Sequence, residues 1–144
     1  MIRPARDIDH VAVAVADADE AAGRFIALLG LTVVADEIAD EPGVRLVHLA
    51  GPGAAGPTTL QLVQPLRAGP VRDHLDQHGE GIHHICFTVV SVPGALADMP
   101  GEEDARIFTG GRGRPACFLA ARPGGALIEL VEQPFARGPD VITW

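Results

Sequence analysis

The sequence predicts an α+β fold in which two paired βαβββ modules join their strands into one curved, mixed β-sheet around a cleft. Two observations predict it. Strings in the first half recur in the second in the same order, and each half places one helix after its first strand and three short strands after that helix. Ile8-Asp9-His10-Val11-Ala12-Val13-Ala14-Val15 aligns without gaps on Ile82-His83-His84-Ile85-Cys86-Phe87-Thr88-Val89, which sets His10 over His84. Thr59-Leu60-Gln61-Leu62-Val63 aligns on Leu127-Ile128-Glu129-Leu130-Val131, which sets Gln61 over Glu129. The segment Gly43–Ala50 matches Gly113–Ala120 more loosely. A four-stranded curved sheet has a face it cannot bury alone, so two such units set side by side enclose a cleft.

Module one spans about 6–68. It opens with a β-branched strand, His10–Val15. Asp17-Ala18-Asp19-Glu20 then caps a helix with an apolar stripe of Ala21, Phe25, Leu28 and Leu29, and Gly30 ends it. Three strands follow at Leu31–Asp36, Val44–Ala50 and Thr58–Val63. A linker at 69–78 starts with Gly69-Pro70 and continues as a short polar helix. Module two spans about 79–135. Its strand His84–Val90 leads into a shorter helix opened by Ser91 and Pro93 and stopped by Pro100-Gly101. Strands at Ala105–Thr109, Ala116–Ala120 and Ala126–Glu132 complete it. The tail, 136–144, ends on Trp144 and, with Phe135, offers aromatic surface to the body or to a partner chain. The whole, 1–144, reads as a single domain.

Hydrophobic residues make up 47% of the 144, enough for the core of one compact domain. The net charge of −8 argues against nonspecific nucleic-acid binding and against an anionic membrane surface. It leaves room for an anionic small substrate, because a local group of arginines can oppose the global sign. Both cysteines, Cys86 and Cys117, sit in apolar runs and read as core residues rather than as a disulfide framework. No apolar stretch follows the arginines of MIRPARDIDH, as a signal peptide requires, and no apolar run approaches the roughly 20 residues of a membrane span. The reading is a soluble, cytoplasmic protein.

Four polar residues now hold repeat-related places: His10 and Gln61 in one half, His84 and Glu129 in the other. Strand periodicity sets Gln61 on a face with Thr59 and Val63, and Glu129 with Leu127 and Val131. A carboxylate among such neighbours is costly unless it is paired, hydrogen-bonded or bound to a metal. A lone strand histidine is ordinarily a satisfied core or surface residue; four polar residues at equivalent positions are not ordinary. Two imidazoles, a carboxylate and an amide oxygen suit octahedral Co²⁺, Mn²⁺, Ni²⁺, Fe²⁺ or Zn²⁺ with two positions open for catalysis. His83, one step from His84, is expected to face outward or to help orient the site.

The strings IDHVAVAV, FIALLGL, GEGIHHICF and ALIELVE, with the repeat, resemble the vicinal oxygen chelate (glyoxalase/bleomycin resistance) superfamily, most closely its methylmalonyl-CoA epimerase branch. The resemblance runs from Ile8 to about Glu132. It implies a divalent metal, often cobalt, held by His10, Gln61, His84 and Glu129, an acyl-CoA thioester substrate and a homodimer. It implies 1,1-proton transfer that interconverts (2R)- and (2S)-methylmalonyl-CoA, or a related 2-substituted malonyl thioester, through a metal-stabilised enolate. One base takes the proton from one face and an acid returns one to the other.

The chain departs from the family pattern twice. Leu46 aligns where some members carry a glutamate base. His48, two residues along the same strand and on the same face, is the replacement acid/base, with Glu129 or a metal-bound water as the other candidates. Asp36, Glu37, Asp40 and Glu41 read as a solvated acidic cluster. The family's His-Pro-Lys turn is replaced by Ala121-Arg122-Pro123, so Arg122 takes the place of the lysine as a phosphate or carboxylate partner. The glycine-rich loop with Arg112 and Arg114 is a second contact for the anionic CoA tail. Two other functions stay open. A glyoxalase I-type isomerase would use the same ligands on a hemithioacetal, and a non-catalytic drug-binding protein would commonly lack them.

Overall fold

The structure, a computed structural model, describes residues 4–51 and 58–134. Module one runs β1 (Ala5–Ala14), α1 (Ala18–Leu29), β2 (Thr32–Ala39), β3 (Val44–Ala50) and β4 (Thr59–Pro65). Helix α2 (Pro70–His78) links it to β5 (Gly81–Val89), α3 (Val92–Ala97), β6 (Phe108–Thr109), β7 (Pro115–Phe118) and β8 (Ile128–Glu132). The strands form one mixed sheet in the order β2-β3-β4-β1-β5-β8-β7-β6. This is the expected fold of paired βαβββ modules. Phe135, Trp144 and the rest of the tail lie outside the described residues.

The two halves mirror each other in register. β1 runs parallel to β4 and β5 parallel to β8, while β1 and β5 pair antiparallel at the seam. Across that seam His10 faces Cys86 and Ala12 faces His84. Ala12 in turn faces Gln61, and Cys86 faces Glu129. Two rows therefore cross the sheet side by side, Gln61–Ala12–His84 and His10–Cys86–Glu129. Repeat equivalence exchanges one for the other. At the middle of each row sits a small, fully buried residue, Ala12 or Cys86.

Helices cover one face of the sheet. α1 packs Ala18, Ala22 and Phe25 on Val15, Leu49 and Leu62, and α3 packs Val92 and Ala95 on Val89, Cys117 and Leu130. Asp17 caps α1 by accepting from the Glu20 N–H at 3.1 Å, and Gly30 closes it in the left-handed conformation with φ of 70°. The predicted stripe needs correction. Small Ala18 and Ala22 bring the helix against the sheet, while Leu28 and Leu29 of the last turn stay 77% and 63% exposed. Helix α3 also stops at Ala97, short of Pro100-Gly101, and β6 is two residues long against the five expected. Both cysteines are free and buried, as expected.

The other face is concave. α2 lays Val71 and Leu75 against Ala12, Ala14, Val44, Leu46 and Val63 at one end of it. What remains is a cavity of about 420 Å³.

Candidate metal centre and its cavity

His10, Gln61, His84 and Glu129 are all buried and all line this cavity. His10 Nε2 lies 3.2 Å from His84 Nε2 and 3.2 Å from Glu129 Oε1, and His84 Nε2 lies 3.0 Å from the same oxygen. Three electron-pair donors on three strands thus converge on one point. Ligand atoms set at right angles about 2.1 Å from a common cation lie about 3.0 Å apart, so the spacing fits an octahedral site. Gln61 shares the face, opposite Ala12 on one side and His48 on the other.

The three groups are bound to one another electrostatically. Burial opposes a charge on His10, but the hydrogen bonds to Asp9 and Glu129 outweigh it and hold the ring above the ordinary histidine value. Burial equally opposes a charged Glu129, yet the two histidines bring it down to about 2. The carboxylate stays ionised where a cation needs it.

Asp9 was not singled out by the sequence. Its Oδ2 accepts from His10 Nδ1 at 2.7 Å, and Arg114 Nη2 donates to its two oxygens at 3.0 and 3.1 Å. Burial raises the Asp9 pKa, but His10 and Arg114 outweigh that and keep it below the ordinary carboxylate value. The repeat held the signal: Asp9 aligns with His83. That residue also departs from the outward-facing reading. His83 lines the cavity, and its Nδ1 lies 2.8 Å from Nδ1 of His84. Strand alternation fails at both positions because each is the extra residue of a β-bulge. From Ile8 to His10 the partner strand moves only from Phe87 to Cys86, and from Ala12 to Val13 it moves from His84 to Ile82.

His48 is 2% exposed and lines the cavity, with Nδ1 3.3 Å from the Thr59 hydroxyl. Its Nε2 has no hydrogen-bond partner among the described residues; Glu37 Oε2 stands 3.6 Å away. Burial and the Arg112 charge bring its pKa down to about 4, so the ring is neutral at pH 7. The strand alignment placed Phe118 at the equivalent position, and its ring packs edge-on to His84 at 5.1 Å.

The acidic cluster is not simply solvated. Asp36 makes a two-point contact with Arg45, Glu37 accepts from the Arg112 backbone N–H at 2.8 Å, and Glu41 borders the cavity. The sequence had these acids in a turn; that holds for Asp40 and Glu41, whereas β2 extends to Ala39 and carries Asp36 and Glu37 alongside β3. The arginines divide. Arg114 is engaged with Asp9 and with the Glu132 carbonyl, Arg112 and Arg122 are exposed, and Arg106, not foreseen, lines the cavity.

The chain matches the family described as "Glyoxalase/Bleomycin resistance protein/Dioxygenase superfamily" over residues 9–118. It belongs to that superfamily. Among curated relatives, an ethylmalonyl-CoA/methylmalonyl-CoA epimerase of Cereibacter sphaeroides is 33% identical over 132 residues, covering 85% of this chain and 95% of that one. The crystal structure of methylmalonyl-CoA epimerase from Mycobacterium tuberculosis superposes with a TM-score of 0.81 at 29% identity, over 100% of this chain and 97% of that one. A Streptomyces coelicolor methylmalonyl-CoA epimerase variant in complex with 2-nitronate-propionyl-CoA gives 0.80 at 31% identity, over 91% and 99%. Superfamily membership fits the mirrored rows, since a paired-module sheet presents equivalent strand positions to one central site.

Proposed function

We propose that the protein is a metal-dependent epimerase that interconverts the 2R and 2S forms of methylmalonyl-CoA or a closely related 2-substituted malonyl thioester. The observation that carries this reading is the convergence of His10, His84 and Glu129 within 3.2 Å at the floor of an apolar cavity. In this reading His10, Gln61, His84 and Glu129 hold a divalent cation, with cobalt the first candidate. When bound, the cation supplies Lewis-acid stabilisation of the negative charge that develops on the thioester oxygen as C2 loses its proton.

The remaining work falls to this chain. Leu46, Val63, Val131, Phe108 and Phe118 wall the cavity and exclude water from the acidified carbon. His48 presents an unpartnered Nε2 to the cavity. Neutral at pH 7, it accepts the C2 proton from one face, and the malonyl carboxylate brought in with the substrate stabilises the resulting imidazolium. A second carrier must return a proton to the opposite face. Glu41 is a carboxylate at the cavity wall, and Glu129 is the alternative already at the centre. Because its pKa lies at about 2, Glu129 serves better as a ligand than as a base. Arg106 and the exposed Arg112 and Arg122 are assigned to the anionic CoA tail, and Arg114 to Asp9 instead.

Chiral analysis of methylmalonyl-CoA tests the reading. Cobalt-loaded protein is expected to carry either pure epimer to an equal mixture and to leave the hemithioacetal of methylglyoxal and glutathione unchanged. Isomerisation of the hemithioacetal without epimerisation would establish a glyoxalase-type activity instead.

A further inference from the structure

Each histidine of the centre is held from behind by the residue that precedes it. Asp9 and His83 occupy equivalent places in the two modules, and each is the extra residue of a bulge at the β1–β5 seam. An unbulged strand would send residues 9 and 83 to the face opposite residues 10 and 84. The bulge turns each back onto its neighbour, and both times the atom it meets is Nδ1, at 2.7 Å in His10 and 2.8 Å in His84. The Nε2 atoms are left facing each other across 3.2 Å.

We propose that Asp9, with Arg114 behind it, and His83 are positioning residues that hold His10 and His84 as Nδ1–H tautomers and so direct both Nε2 lone pairs at the cation site. This rests on the reading of the two histidines as metal ligands. A neutral imidazole carries one N–H and one lone pair, so an Nδ1–H engaged in a hydrogen bond leaves Nε2 for the metal. An ionised Asp9 only accepts and therefore requires a proton on His10 Nδ1. His83 accepts from His84 through Nδ1 and keeps its own proton on Nε2. The His74 ring, edge-on at 4.7 Å, limits its swing.

The two supports differ in strength. A carboxylate makes the imidazole it holds a better donor than a neutral ring does. Arg114 also donates to the Glu132 carbonyl at 3.3 Å, so a residue of module two steadies a ligand of module one. Asp9 therefore matters more than His83, although the two are structural equivalents.

Calorimetric titration of metal-free protein with Co²⁺ tests this, together with imidazole ¹⁵N spectra of the zinc-loaded form. Asp9→Ala is expected to weaken cobalt binding about 10- to 100-fold, and Arg114→Met and His83→Ala by less. In the zinc-loaded wild type each ring shows a slowly exchanging Nδ1–H. Asp9→Ala loses the one on His10 and keeps the one on His84; His83→Ala does the reverse. A merely structural role would not sort the two signals in this way. If Asp9→Ala does not fold, the wild-type spectrum and Arg114→Met still decide. Folded Asp9→Ala protein with wild-type cobalt affinity, or wild-type rings that ligate through Nδ1, would overturn the proposal. Wild-type protein that takes up neither cation would overturn the metal reading itself, a result distinct from either.

Discussion

His48 shows how one side chain connects burial, charge and chemistry. Its pKa falls from the ordinary 6.5 to about 4 because the ring is buried and Arg112 stands nearby. Between those values the unfolded chain binds a proton that the folded chain refuses. Stability of the metal-free protein therefore falls as pH drops through that window, by up to about 1.4 kcal/mol per pH unit from this group, and the contribution vanishes above it. Urea unfolding of wild type and His48→Gln at pH 7, 6, 5 and 4 checks the sign: the variant loses less stability on acidification. His83, also brought down to about 4 by burial and by His84, keeps some slope in both proteins, so the difference between the curves is the readout. Parallel curves would show that His48 is not held neutral.

At the scale of elements, the repeat made the four central residues legible. Aligning strand on strand set His10 over His84 and Gln61 over Glu129, and the register across the seam is symmetric in the same sense. What stayed illegible were departures from ideal periodicity. Alternation puts Asp9 and His83 on the wrong face, since a bulge is a property of the pairing of two strands and leaves no mark in either alone. The α1 stripe erred because Leu28 and Leu29 have the right spacing but no surface to cover, while Ala18 and Ala22 win contact through small size. The two rows also give a prediction. Ala12 is fully buried between Gln61 and His84. Ala12→Leu projects a side chain into the space that a cation held by the proposed ligands would need, and overpacking costs about 1–3 kcal/mol. Circular dichroism should report a folded protein, and calorimetry the loss of most cobalt affinity. Unaltered affinity would place the cation elsewhere.

For the molecule as a whole, the fold explains why one small chain builds a polar-floored cleft. Neither module can close it, because each contributes two of the four central residues. The sheet runs unbroken from β2 to β6, and its helices keep to the opposite face apart from α2, which seals one end. Among the described residues no helix is long and apolar enough to cross a membrane. The acidic balance of the chain, −8 overall, makes the placement of Arg106 at the cavity informative, since it opposes the global sign where an anionic substrate would enter. The central claim is that this cavity removes a proton from the carbon between a thioester and a carboxylate, and that it needs a divalent cation to do so. The most direct measurement is C2–H exchange of methylmalonyl-CoA in D₂O with cobalt-loaded and metal-stripped protein. The account predicts deuterium uptake well above the buffer rate that disappears on stripping and returns with cobalt. Buffer-rate exchange by protein holding one cobalt per chain, or equal exchange with and without the metal, would contradict it.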